Sequence, residues 1–304
     1  MIGTRGSRLA LWQAEWIQAR LRDVAPGLTV SLRRIKTSGD KILDVPLAAI
    51  GGKGLFVKEI EEALLGGDID LAVHSMKDVP TMLPKGLEIL CVPPREDPRD
   101  ALISRAGCSL KDLPPRARIG TSSLRRQAQL LHLRPDLRIE VLRGNLDTRL
   151  RKLRQGEFDA IVLAAAGLSR MGWAAEVTEY LTPDVSLPAI GQGALGLEGR
   201  GDDPFVRSLV AQFDHAPTRT AVTAERALLE RLEGGCQVPI AAHASVNGGT
   251  LMLDALIASV NGSRLVRDSI QGPTADARAL GVELAERLLA RGGESILSEI
   301  YGKA

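Results

Sequence analysis

Three kinds of residue in this chain could do chemistry: one thiol on a bare loop, one carboxylate at a strand end, and a surplus of arginines. The thiol is Cys236 in "LEGGCQVPI", behind Gly234 and Gly235 and ahead of Gln237-Val238-Pro239. The glycines clear side chains from its approach and allow unusual backbone angles, as a thiol that must be reached by a reactant requires. An isolated cysteine is more often an inert packing residue. Cys91 follows the apolar run "LEIL" and is expected in the core, and Cys108 lies in a polar loop with no assigned role. Three scattered cysteines are too few for a disulfide framework or a zinc site, so no metal is expected. The carboxylate is Asp78 in "HSMKDVP". It either salt-bridges Lys77 and caps the turn at Val79-Pro80, or handles protons in a cleft. His74 in the same string is read as structural.

The arginines suggest the partner. Of 39 basic residues 30 are arginine, the side chain that grips carboxylates and phosphates bidentately and keeps its charge. A high-GC genome or a thermophilic habit would also favour arginine. Net charge is only +2, but Arg116 to Arg170 holds eleven arginines and one lysine against five acids, a local +7. The rest of the chain is then −5, and a basic lobe on an acidic chain points to a polyanionic ligand. Arg151 and Arg154 suit a solvated helix face, whereas Arg143 and Arg170 follow apolar strands. A nucleic acid is disfavoured: no aromatic residues interleave with the basic positions, and no nucleic-acid-binding motif occurs.

The elements that must position these residues repeat. "IGTRGSRLALWQA" from Ile2 resembles "IGTSSLRRQAQLL" from Ile119; "LTVSLRRIKTSGD" is answered by "LRIEVLRGNLDTR", and "DIDLAVHSMKDVP" by "EFDAIVLAAAGLSR". The same β-α-β-α-β order thus occurs twice. Apolar strands alternating with helices predict parallel sheets with right-handed crossovers, hence two open α/β lobes flanking a cleft. Ligands in such sheets bind at the carboxyl ends of the strands, here beside Arg5, Ser7, Asp78, Thr121, Ser122, Ser123, Arg143 and Arg170. The two Ser/Thr turns open helices, where free N–H groups favour anions, although N-caps alone would explain them. "SLPAIGQGALGLEGR" reads as a crossing back between lobes, and the remainder as a helix, an antiparallel meander and a closing amphipathic helix. Residues 1–93 with 194–213 are expected to form the first lobe, 94–193 the second, Arg-rich lobe, and 214–304 a small α+β domain. Hydrophobic residues make up 44%, enough for a core in each. The N-terminus lacks a long apolar run ahead of a cleavage site, and "AIVLAAAGL" is too short to span a bilayer. A soluble, cytoplasmic chain with reduced thiols is expected, with no membrane or nucleic-acid partner.

"GGKGLFVKEIE", "DLAVHSMKDVP", "EDPRDALIS", "IGTSSLRRQAQL", "LRGNLDTRLRKL", "LPAIGQGALG" and "RLEGGCQVPI" occur in order over nearly the whole chain. Together they resemble the porphobilinogen deaminase (hydroxymethylbilane synthase) family. The resemblance implies two periplasmic-binding-protein-like lobes plus the small third domain. It implies a transferase that joins four porphobilinogen molecules head to tail, releasing ammonia, into linear hydroxymethylbilane. The primer is a dipyrromethane cofactor held by a thioether, at the position matching Cys236. Asp78 matches the family's acid–base residue. Lys53, Ser75, Lys77, Thr121, Ser122, Ser123, Arg125, Arg126, Arg143, Gly144 and Asn145 match cofactor contacts. Arg5, Ser7, Gln13, Arg143, Arg149, Arg170 and Gln192 match contacts to substrate. A monomer is implied. The chain departs from its relatives in beginning almost inside its first strand, and in placing Ala49 where the family often has lysine. A two-lobed binding protein for a small polycarboxylate, without catalysis, is the alternative.

Overall fold

The computed structural model describes residues 1–41, 54–234 and 238–302. Two five-stranded sheets and one three-stranded sheet organise it. The first sheet contains β1 (Ile2–Thr4), β2 (Leu32–Arg34), β3 (Leu71–Ser75), β4 (Leu87–Cys91) and β10 (Leu195–Arg200), in the order β2-β1-β3-β10-β4. The second contains β5 (Asp100–Ser104), β6 (Arg118–Gly120), β7 (Arg138–Glu140), β8 (Ala160–Ala164) and β9 (Glu179–Leu181), in the order β7-β6-β8-β5-β9. The orders correspond strand for strand, so the sequence repeat is a repeat of topology.

Within each sheet the first three strands are parallel, as expected. The fourth runs in reverse: β10 is antiparallel to β3 and β4, and β5 to β8 and β9. The all-parallel expectation is corrected on this point. Each reversed strand enters from the opposite lobe, through residues 92–99 or 182–194, and therefore approaches its sheet from the cleft side. The central strands are buried on both faces, which explains their unbroken apolar runs: four of the five residues of β3, and likewise of β8, are buried. The helix Arg8–Val24 turns Ala10, Gln13, Ala14, Ile17 and Leu21 inward at helical spacing and is capped by Ser7.

The third sheet is the antiparallel meander β11 (Ile240–Asn247), β12 (Thr250–Ala258), β13 (Leu265–Pro273). The helices Ala216–Arg231 and Ala277–Leu288 bury Leu228, Leu284 and Leu288 against Leu253, Ala255 and Ile257. Glu225 joins this domain to both crossing segments. Its carboxylate accepts from Arg95 Nη1 at 2.6 Å, Gly191 N at 2.6 Å and Ala244 N at 2.8 Å. Burial opposes its ionisation, yet Arg95 and His243 hold its pKa at about 2. The crossing segments touch closely: Glu96 N donates to Gly193 O, and a Cβ on Gly193 would lie 2.3 Å from Glu96 O. No helix among the described residues is long and apolar enough to cross a membrane.

Candidate active site

The carboxyl ends of the parallel strands converge on a cleft with a cavity volume of about 140 Å3. Its first wall follows β1 and β3. Thr4 Oγ1 donates to Ala10 O at 3.0 Å, and Ser7 accepts from Ala10 N, fixing the turn that carries Arg5. The Arg5 guanidinium lies 4.2 Å from the Phe56 ring centroid, a cation–π contact between two residues that line the cleft. After β3, the single turn Met76–Asp78 buries Met76 and places Ser75, Lys77 and Asp78 on the cleft. Burial lowers the Lys77 pKa to about 8; Asp78 opposes that shift and Arg126 reinforces it.

The second wall supplies cations. Arg149, on the helix Leu146–Arg154, donates from Nε to Gly144 O at 2.8 Å. Gly144 takes a φ of +111°, and a Cβ there would meet Thr148 at 2.7 Å, so the position requires glycine. Arg170 follows β8 and donates to Gly193 O at 2.7 Å, tying the second lobe to a crossing segment. Burial pulls both guanidiniums down to about 10, with repulsion by Arg126 and Arg143 contributing at Arg149.

Asp100 lies beneath this wall, fully buried at the start of β5. It accepts from Arg125 Nη1 and Nη2 at 2.8 and 3.2 Å, and from Arg126 Nε and Nη2 at 3.0 and 2.7 Å. Ser186 Oγ and Gln192 Nε2 add 2.7 and 2.9 Å. Burial alone would raise the Asp100 pKa, but the two guanidiniums hold it far below the usual carboxylate range.

Of the residues singled out in the sequence, Arg5, Ser7, Gln13, Ser75, Lys77, Asp78, Arg126, Arg149 and Arg170 line this cleft together. The others that the structure describes lie beside it. Arg125 is spent on Asp100 and on Leu187 O at 2.7 Å, and Gln192 reaches Asp100 and Pro98 O. The hydroxyls of 121–123 serve the local turn: Thr121 accepts from Ser123 N, Ser122 donates to Leu142 O at 2.7 Å, and Ser123 caps the helix Leu124–Leu133. Asn145 caps the helix Leu146–Arg154. Arg143 is half-buried beside Arg149. Lys53, Ala49 and Cys236 lie outside the described residues. The sequence reading missed Phe56, the Asp100 anchor and the pairing of His74 Nε2 with Glu198 at 2.8 Å. Asp100 sits in the quoted string "EDPRDALIS", but nothing local in that string marks it as the counter-ion of two distant arginines.

Among the described residues lining the cleft, five cations face one carboxylate, Asp78. Burial and mutual repulsion depress several of those cations. The arrangement suits an elongated ligand with several carboxylates at its rim and N–H groups near Asp78, since bound anions would relieve the repulsion.

Residues 1–208 match the family description "porphobilinogen deaminase, dipyromethane cofactor binding domain", and residues 219–290 match "porphobilinogen deaminase, C-terminal domain". The porphobilinogen deaminase of Geobacter sulfurreducens is 62% identical over 300 residues, covering 99% of this chain and 94% of the relative. That of Geobacter metallireducens is 61% identical with the same coverage. Among solved structures, an ancestral cationic amino acid solute binding protein aligns with 70% of this chain and 86% of its own, at 15% identity and a TM-score of 0.42.

Proposed function

The chain belongs to the porphobilinogen deaminase family, and we infer that it joins four porphobilinogen molecules into linear hydroxymethylbilane by the residues that line its cleft. It is a transferase of tetrapyrrole biosynthesis that works with a dipyrromethane cofactor. The observation that carries the residue assignment is the cluster of Arg5, Lys77, Arg126, Arg149 and Arg170 around Asp78, the one carboxylate among the described residues that line the cleft.

We assign the covalent attachment of the cofactor to Cys236, on the family match and the glycine-cleared sequence around it. Lys77, Arg126 and Arg149 are suited to its carboxylates, and Lys53, Arg143 and the 121–123 turn complete the family's contact set. The cofactor, when bound, supplies a pyrrole with a free α-carbon as the first nucleophile. Arg5 and Arg170 are suited to the acetate and propionate of incoming porphobilinogen. Asp78 has the charge to stabilise the cationic azafulvene left on the substrate when ammonia departs, because a fixed carboxylate in a water-poor cleft offsets charge that develops beside it. Arg125 contributes by holding Asp100, which in turn orients Arg126. Residues 1–93 with 194–213, 94–193 and 214–304 are the proposed working units. A cytoplasmic monomer is the proposed state.

Intact mass spectrometry of the purified protein tests the assignment. A mass increased by two pyrrole units, lost in Cys236→Ala and retained in Cys91→Ala and Cys108→Ser, is expected. An unmodified mass in protein that consumes porphobilinogen would overturn it.

A further inference from the structure

Behind Asp78 lies a group of titratable side chains for which the reading above has no use. His74 lines the cleft one residue before Ser75, yet it is only 5% exposed. Its Nε2 is 2.8 Å from Glu198 Oε2, so Nδ1 is the ring nitrogen that this pair does not use. His74 stands opposite Gly196 and Glu198 opposite Ala72, so the pair lies diagonally on one face of neighbouring antiparallel strands. The remaining oxygen of Glu198, Oε1, is buried with no hydrogen-bond partner. Glu61, inward on the helix Lys58–Leu65, also has a buried, unpartnered Oε1. An unpartnered buried carboxylate oxygen is costly unless the group carries a proton for part of the time. Burial, and then repulsion by Glu198, raise the Glu61 pKa to about 7, while His74 opposes the shift. Two buried acids, each with an unpartnered oxygen, are therefore grouped around the His74 imidazole. The other charges acting on them are Glu62 on the Glu61 helix and Arg226 from the helix Ala216–Arg231; Lys77 and Asp78 follow His74 in the chain. Glu59 accepts from Ser38 N at 2.8 Å.

Resting on the proposed function, the reaction has a proton to move. The aminomethyl group leaves as NH3 from its ammonium form and takes the C–N electron pair. A C–C bond then forms at the free pyrrole α-carbon, its C–H electrons return to the ring, and its proton must depart. The net result is conversion of the released ammonia to ammonium, with no other reactant. We propose that His74 takes this proton at Nδ1 as an imidazolium held by Glu198, with Glu61 sharing the buried charge, and passes it to the ammonia, while Asp78 offsets the cation on the substrate. Neutral imidazole beside a carboxylate suits this role because the carboxylate stabilises the imidazolium formed at each transfer.

His74→Gln keeps an amide for Glu198 but cannot carry the proton. It should melt normally, retain the adduct mass and lose kcat on the order of 10²-fold. Porphobilinogen deuterated at its free α-carbon should then show a primary isotope effect, because C–H cleavage becomes the slow step. Glu61→Gln and Glu198→Gln should shift the 15N NMR titration of the His74 ring in the holoenzyme, a readout independent of turnover. It remains informative even if His74→Gln fails to fold. A His74→Gln kcat within about threefold of wild type, no isotope effect in that variant, or a His74 titration unmoved in both glutamine variants would each overturn the proposal. Wild-type protein that leaves porphobilinogen unconsumed would instead sink the functional reading on which it rests.

Discussion

Asp100→Asn removes one charge from the most heavily bonded buried carboxylate beside the cleft. The wild-type group takes four hydrogen bonds from Arg125 and Arg126 and one each from Ser186 and Gln192. Asparagine keeps one acceptor oxygen but turns an NH2 group towards donors that already need an acceptor. It also leaves two guanidiniums, 5% and 7% exposed, without their counter-ion. At an effective dielectric near 20, each contact pair is worth roughly 4 kcal/mol of Coulomb energy, partly offset by desolvation and by repulsion between the two arginines. Breaking one side of such a buried set costs about 3–5 kcal/mol. For a chain of this size that corresponds to a fall in melting temperature on the order of 10 °C. Urea unfolding followed by tryptophan fluorescence measures it, with Trp173 packed on the core of the affected lobe and Trp12 and Trp16 on a first-lobe helix. Turnover should fall as well, because Arg126 lines the cleft and Asp100 sets its direction. A loss of stability below about 1 kcal/mol, typical of a surface substitution, would refute the view that this carboxylate anchors the second wall.

Asp78→Asn should fold normally and lose kcat on the order of 10²-fold or more, because the amide carries no charge to offset the cation; a near-normal kcat, or a loss that only tracks melting, would refute its role. Arg149→Leu should lower kcat/KM about tenfold to a hundredfold, from a lost contact of roughly 1.5–3 kcal/mol. Arg154→Leu, at a side chain 63% exposed and paired with Glu176, should leave it unchanged, and equal effects at the two sites would count against the placement. Folding lowers the Lys77 pKa from 10.5 to about 8, so in the ligand-free protein the folded state loses this proton first. Stability should therefore rise between these pH values, while binding of a dicarboxylate pyrrole to Cys236→Ala protein should weaken above pH 8; calorimetry showing constant affinity to pH 9.5 would contradict this.

The doubled β-α-β-α-β order was legible because it repeats as three paired strings in the same sequence, and each string carries its own strand and helix periodicity. The reversal of β5 and β10 was not legible, since strand direction depends on a partner elsewhere in the chain: Glu198 meets His74 across 124 positions. Arg5, Asp78 and Arg170 of the cleft set could be found because each follows a strand; Lys77 and Arg149 came only from the family resemblance. Arg125 and Arg126 could not be told apart. They are adjacent in a basic string, yet one is consumed by Asp100 and Leu187 O while the other reaches the cleft. The glycine-flanked string drew attention to Cys236, but its cofactor role came from the family resemblance and it lies outside the described residues.

The reversed strands also set the order in which the chain can fold as it is made. The second sheet uses only residues between Asp100 and Leu181, one continuous stretch, and can close as soon as that stretch has emerged. The first sheet cannot. Among the described residues its β4 pairs with β10 alone, and β10 also supplies one side of β3. Until Arg200 has been synthesised, β4 has no partner and β3 keeps an open edge, so the lobe that begins the chain is completed after the lobe in its middle. Edges left open for about a hundred residues of synthesis invite pairing with other nascent chains. Lesions in β10 should therefore reveal themselves first as insoluble protein during expression, before any loss of activity per soluble molecule.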